Sequence, residues 1–402
     1  MSFLVKAINF LIRQQKPFRV NIVKNMLLNA SMGLTQQYQS IYVTLLGASA
    51  VQLGFLAGIG GIANTLLSIP FGLLADRQGV KKMMIASITL FAVGYSIFGL
   101  AQSWEITIFA FLFTAIAVQV FNNICPMVCG ACLNSVERTT GMQLCDTVAA
   151  LPRLFAPLAA AILISLLGGL TIEGIRPLYW LGVVGILVAL MVVVRFFNNP
   201  VVPRQSDSGD FTAGIRSVLR DGVHVRRWLA YYMLMSIPWY MGFYIPLYAK
   251  QVKGADTIIL GLMDSGYWFA VVLLAIPVGL TADRLGRKKV LLVLTPLYCL
   301  GLLILASAQN NVALLFAGVL NGFTMLAGVT ESSITVELVP RELLGSWFGI
   351  LGFFMGLTSF VGPIMGGYLW VVDPTLILIL IAVTQIVKLG ILVTMPSKTR
   401  YS

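Results

Sequence analysis

The sequence predicts an all-α membrane protein whose twelve transmembrane helices form two pseudo-repeated six-helix halves. Three observations carry this. Apolar residues make up 58% of the 402-residue chain and charged residues 10%, against roughly 25% charged in a soluble domain. Twelve apolar segments follow one another, each near the ~20 residues needed to cross a bilayer. A charged stretch, Pro70–Lys82, returns 207 residues later as Pro277–Lys289 with nine of thirteen positions identical. Ala101-Gln102 and Ala308-Gln309 keep the same offset, so the chain reads as two copies of one unit.

Residues 1–20 have no small-residue cleavage site and run straight into a long apolar segment, so they do not read as a cleaved signal. Ser2, Lys6, Asn9 and Arg13 recur at helical spacing among apolar neighbours, which predicts a helix lying on the membrane surface. The first half, 1–197, holds segments at 21–46, 49–75, 82–102, 104–131, 140–168 and 177–197. Residues 198–227 are polar and charged, with Phe211, Ile215, Val218 and Leu219 on one face; they predict a cytoplasmic linker with a short interfacial helix. The second half, 228–402, holds segments at 228–249, 257–282, 288–308, 311–336, 346–370 and 374–396.

The repeated stretch joins the second segment to the third, and the eighth to the ninth. Gly79 suits a reversal because glycine reaches positive φ without steric cost. Asp76 is an acceptor suited to a helix N-terminus. Arg77, Lys81 and Lys82 place positive charge where the chain leaves the membrane. A turn that only fixes topology and a gating latch between halves both fit this pattern.

Gly72, Leu74, Ala75, Asp76, Arg77, Gly79, Lys81 and Lys82 resemble the signature loop of the major facilitator superfamily. Gly279, Ala282, Asp283, Arg284, Gly286, Arg287, Lys288 and Lys289 match it again, with Thr281 where leucine is usual. Val80 stands where the family usually has arginine. The resemblance covers essentially the whole chain and implies a transporter with a gating motif at these positions.

Of 27 Lys and Arg residues, 22 fall on one side of the predicted membrane, and Arg176, Lys250 and Lys253 on the other. This bias, with the even segment count, places both termini and the linker in the cytoplasm; a plasma (inner) membrane location is expected. The net charge of +12 is therefore a topology signal and not a nucleic-acid footprint. Five cysteines, mostly in apolar context, suggest thiols and not a disulfide framework. The single histidine, His224, lies in a charged loop and leaves no histidine metal site or relay.

The resemblance implies that the first, fourth, seventh and tenth segments line a central cavity. On the first lie Asn25, Asn29, Gln36 and Gln39; amides in hydrocarbon need partners, so this face meets substrate, water or another helix. The fourth offers Asn122 and Asn123, then Cys125, Cys129 and Cys132, which suit close helix packing better than a metal site. The seventh carries Ser236, Trp239, Tyr240 and Tyr244, whose aromatic faces suit flat or cationic ligands. Asn321 and Thr324 are the candidates on the tenth.

Ionisable groups within membrane segments are costly and mark function by default. They are Asp146, Arg153, Asp264, Glu331 and Lys388. Glu331 is the first candidate for proton coupling, with Asp146 as the second. Lys388 is expected to snorkel to the cytoplasmic surface. Arg153 and Asp264 sit roughly 20 and 27 Å from the cytoplasmic end at 1.5 Å per residue, which predicts an interdomain pair. Asp146, two turns from Arg153, is the competing partner.

Gly362–Gly367, GPIMGG, resembles an element that drug antiporters of the superfamily carry in their fifth helix. Here that helix has Ala156-Pro157-Leu158-Ala159-Ala160 instead, and the arginine such antiporters place in the fourth helix is missing. The expected function is secondary transport of a small solute by alternating access, as proton-coupled efflux of an amphipathic neutral or cationic compound. Uptake of a neutral metabolite such as a sugar is the alternative, and a receptor or scaffold without flux is the alternative of another class. No P-loop is present, and neither an enzymatic constellation, a cofactor nor a metal is expected. The expected partners are the solute, protons and the lipid bilayer, with the protein a monomer.

Overall fold

A computed structural model describes residues 13–62, 79–132, 145–198, 224–339 and 344–395. Residues 1–12, which hold most of the expected surface helix, residues 199–223 of the linker, and Gly72, Asp76 and Arg77 lie outside the described residues. Among the described residues, helices lie within all twelve predicted segments. Eight helices among the described residues are long and apolar enough to cross a membrane, and shorter apolar helices cover Ala50–Ile62 and Thr107–Phe121. Segment six shows why such helices need lipid. Ile175, Leu178, Tyr179, Gly182, Ile186, Ala189 and Val193 form a buried stripe, while Leu181, Val184, Leu187, Met191 and Val194 on the other face are exposed. A helix apolar all round with one packed face has hydrocarbon as its second solvent.

The chain divides into two compact units, residues 1–47 with 66–205 and residues 48–65 with 206–402. Residues 48–62 belong to the first copy of the sequence repeat yet pack within the second unit. Gly54, Gly58 and Gly61, at helical spacing, face Pro363, Phe360 and Ser359 of segment eleven, Leu344–Val372. A Cβ at Gly54 would collide with the Pro363 carbonyl oxygen. Small residues let two helix backbones approach this closely in a membrane.

The repeat is geometric as well as textual. Segment three is Val80–Leu100 and segment nine Arg287–Ser307, both 21 residues long and 207 apart. Gly79 and Gly286 precede them with φ of 83° and 95°, and Ala101 and Ala308 end them with ψ of 125° and 129°. Segments one and seven both break near the same repeat position. A 3₁₀ turn at Gln36–Tyr38 separates Lys16–Thr35 from Gln39–Leu45. Another at Gly242–Tyr244 separates Val225–Met241 from Ile245–Gln251. Segment five, Cys145–Leu166, contains a third such turn at Leu151–Leu154 around Pro152. Segment ten is Asn311–Asn321 followed by Phe323–Glu337, offset at Gly322.

Each unit has its own core. In the first, Tyr179 stacks on Phe98 at 4.9 Å and meets Tyr42 at 5.1 Å and Tyr95 at 5.7 Å. Tyr42 donates to the Phe98 carbonyl, and Thr35 shares a hydrogen bond with Tyr95. In the second, Trp228, Tyr231, Leu291, Leu294, Leu326, Trp347 and Leu392 are buried together.

Candidate functional site

The first unit gathers its polar groups where two helices break. The 3₁₀ turn of segment five presents Arg153, 8% exposed. Its Nε donates to Asn29 Oδ1 at 2.7 Å, its Nη1 to Gln36 Oε1 at 2.9 Å and its Nη2 to Met32 Sδ at 3.5 Å. Segment one comes close enough for this because Gly33 faces Ala156: a Cβ there would lie 2.9 Å from Ala156 Cβ. Three side chains from one face of segment one thus converge on one guanidinium, whose planar fork suits several acceptors at once.

Further along segment one, Asn21 and Asn25 each donate to the Cys145 thiol at 3.9 Å. Lys24, counted from sequence among the cytoplasmic cations, is 1% exposed and lies 4.5 Å from the centre of the Phe121 ring. Cation–π contact and a long apolar stem are the means by which lysine tolerates such burial. Gln39 is half-buried, and Asp146 is exposed on segment five. The side chains of Asn122, Asn123, Cys125 and Cys129 lie outside the described residues. Cys132 and Cys299 are free thiols.

In the second unit the aromatic candidates of segment seven separate. Trp239 is 54% exposed, whereas Tyr244 is 1% exposed. The Tyr244 hydroxyl lies 2.9 Å from the carbonyl oxygens of both Ala50 and Pro363, and its ring stacks on Trp370 at 5.8 Å. Ser236 Oγ lies 2.7 Å from Thr358 Oγ1, and Tyr240 is half-buried. Asn321 is buried, and its Oδ1 accepts no hydrogen bond among the described residues; Thr324 is half-buried.

The most deeply buried charges of this unit form a network. Glu331 is 1% exposed and Lys388 2%. Glu331 Oε1 accepts from Lys388 Nζ at 2.9 Å and from the Tyr231 hydroxyl at 2.6 Å. The Lys388 ammonium also lies 5.4 Å from the Tyr231 ring centre, and that ring stacks on Trp228 at 4.6 Å. Trp228 donates to Thr335 Oγ1, which donates to the Glu331 carbonyl; Trp347 donates to the Thr335 carbonyl. Lys388 therefore does not snorkel. Segment twelve buries Ile381, Thr384, Gln385, Lys388 and Leu392 on one face, and the carboxylate on segment ten offsets the desolvation that would otherwise drive the ammonium to water. Sequence reasoning missed Lys388 and Tyr231. The available signal was Trp228 and Tyr231 one turn apart on segment seven.

Of the repeated turn, the described residues include Gly79, Lys81 and Lys82 in the first copy and all of the second. Lys81 Nζ donates to the Val194 carbonyl, and Lys288 Nζ to those of Val393 and Met395. Arg287 donates to the Ser333 carbonyl at 3.2 Å. Asp283, Arg284 and Gly279 are exposed at the end of segment eight. Arg153 lies in the first unit and Asp264, half-buried, in the second. Among the described residues no group of three or more His, Cys, Asp or Glu side chains is placed to hold a metal.

Comparison with known proteins gives a consistent result. A family model described as Major Facilitator Superfamily matches residues 25–262 and 253–398. The multi-drug resistance efflux pump PmrA of Streptococcus pneumoniae is 23% identical over 354 residues, spanning 85% of this chain and 86% of that one. Among solved structures, the nucleoside transporter NupG superposes with a TM-score of 0.74 at 14% identity, covering 94% of this chain and 98% of that one. The D-xylose-proton symporter does so with a TM-score of 0.71 at 15% identity, covering 96% and 99%.

Proposed function

Because the chain belongs to the Major Facilitator Superfamily and is an integral membrane transporter, we propose that it exports an amphipathic neutral or cationic compound by alternating access, driven by protons. One observation carries the coupling: Glu331, a carboxylate 1% exposed within a membrane segment, hydrogen-bonded and ion-paired inside the second unit. Intramembrane carboxylates of this kind are the usual seats of proton exchange. The efflux direction is supported by the likeness to a multi-drug efflux pump over most of both chains. The amphipathic substrate class is supported by Trp239, Tyr240 and the amides of segment one, which supply aromatic faces and neutral polar groups.

Uptake of a neutral metabolite is the second reading, and the amide face of Asn25, Asn29, Gln36 and Gln39 favours it. The two separate in proteoliposomes. Efflux predicts that an imposed pH gradient drives an amphipathic cation against its own gradient, in exchange for protons. Uptake predicts co-movement of a neutral solute with protons, found first by a thermal-shift ligand screen on the purified protein. The inner-membrane orientation is tested by Ser208→Cys, which reacts with impermeant reagents only from the cytoplasmic side. Labelling from outside would remove both the orientation and the twelve-span topology.

A further inference from the structure

We propose that the proton-exchange unit of this transporter is the Glu331–Lys388 ion pair closed by the Tyr231 hydroxyl, with Lys388 as a positioning residue and not a peripheral charge. The inference deepens the proton-coupled reading and rests on it. Three helices meet here. Segment ten supplies the carboxylate, segment twelve the ammonium at 2.9 Å, and segment seven the phenol at 2.6 Å. The other titratable groups facing the pair are Tyr232 from segment seven and Cys299 from segment nine. Segment eight, which also packs on segment ten, carries Asp264 and Tyr267 within its span. Segment eleven contributes Trp347 and no charge at this level.

The geometry determines what a proton does. With the carboxylate ionised, the pair is neutral and both buried charges are compensated. A proton taken from water adds to a carboxylate oxygen of Glu331. The ionic attraction to Lys388 is lost, the hydrogen bonds rearrange, and no covalent bond besides the new O–H changes. The site then carries one positive charge on Lys388, held over the Tyr231 ring at 5.4 Å. An uncompensated buried cation is costly, so the protonated state favours admitting water and repels a cationic solute. Loss of the proton on the other side restores the pair. Lys388 thus places the uncompensated charge in the protonated state, whereas a lone carboxylate surrounded by neutral groups would carry its uncompensated charge in the deprotonated state.

The test uses the full-length protein in proteoliposomes with ethidium as the probe cation. It compares Glu331→Gln, Lys388→Met, Lys388→Arg and the Glu331→Gln/Lys388→Met double variant with wild type. Melting temperature, ethidium exchange without a gradient, and ethidium movement driven by a pH gradient are measured for each. Both single neutral variants are expected to melt earlier and the double variant to recover. Gradient-driven movement is expected to fall about tenfold or more in Glu331→Gln, Lys388→Met and the double variant, with exchange retained in the double and driven movement kept in Lys388→Arg. A double variant that recovers gradient-driven movement along with its melting temperature makes the pair a structural strut and overturns the proposal. Lys388→Met with wild-type driven movement overturns it equally. Wild-type protein that moves ethidium no differently with and without the gradient removes the proton-coupled cation reading itself, and this proposal falls with it.

Discussion

Lys81 and Lys288, equivalent positions of the repeat, each donate to a backbone carbonyl at the end of the last helix in their own copy: Val194 at 2.9 Å and Val393 at 3.0 Å. The last carbonyls of a helix have no intrahelical donor and carry the negative end of its dipole, so an ammonium there is favourable. Arg227 adds a second cation at the same end of segment twelve, donating to the Thr394 carbonyl. The repeated loop thus has a capping function besides the latch implied by its family.

Lys288→Met should therefore lower stability by about 0.5 kcal/mol, and Lys81→Met by a similar amount, each reduced in high salt. Thermal unfolding in detergent at two salt concentrations measures this. Equal melting of both variants and wild type at low salt would show that the contacts contribute nothing.

Two aromatic residues of one segment should respond differently. Tyr244→Phe removes the hydroxyl that bridges the carbonyls of Ala50 and Pro363 and should cost about 1 kcal/mol of stability. Trp239→Ala, at an exposed position, should leave melting nearly unchanged and weaken binding of an aromatic cation. If both variants lose stability equally, the two residues are not in different environments.

Arg153 makes the sharpest case for charge and shape together. Arg153→Lys keeps the charge but cannot serve Asn29 and Gln36 as a fork does, so it should be impaired despite the conservative change. Arg153→Ala and Asp264→Ala should each cost about 3 kcal/mol if the two side chains pair, with the double variant no worse than either. A double-variant loss equal to the sum of the singles removes the pair.

Asp76→Asn tests the latch. Transport should drop while expression stays largely intact, and a cysteine reporter in the cytoplasmic half should become more accessible as the inward-open population rises. Asp283→Asn should be milder. Unchanged transport with unchanged accessibility would leave the loop as a topological signal only.

The fold was legible because membrane segments announce themselves locally: apolar runs of the right length, cations in short loops, and a charged turn that occurs twice. Even the positive φ of Gly79 and Gly286 follows from residue type and position. What could not be read depends on partners far away in sequence. Lys388 sits on a helix that reads as peripheral, and its carboxylate is 57 residues distant. Nothing within one turn of Lys388 distinguishes a snorkelling lysine from a paired one. Likewise Asn29 and Gln36 were visible as a polar face, but their convergence on Arg153 needed the break at Leu151–Leu154. Proline at 152 hinted at that break without giving its direction. The packing of residues 48–62 within the second unit depends on Gly54, Gly58 and Gly61 finding a matching surface, and small residues alone do not say which helix they will meet.

The stack of Trp228 on Tyr231, with planes 12° apart and the phenol on Glu331, gives the molecule an optical reporter of its own. Indole emission responds to a neighbouring charge and to the ring stacked upon it. Trp228 stacks on the tyrosine that donates to the carboxylate and is itself fully enclosed, so bulk quenchers reach it poorly. A version of the chain that keeps Trp228 as its single indole would let the ionic state of the interior be followed by intrinsic fluorescence in intact vesicles, without a dye or a known cargo.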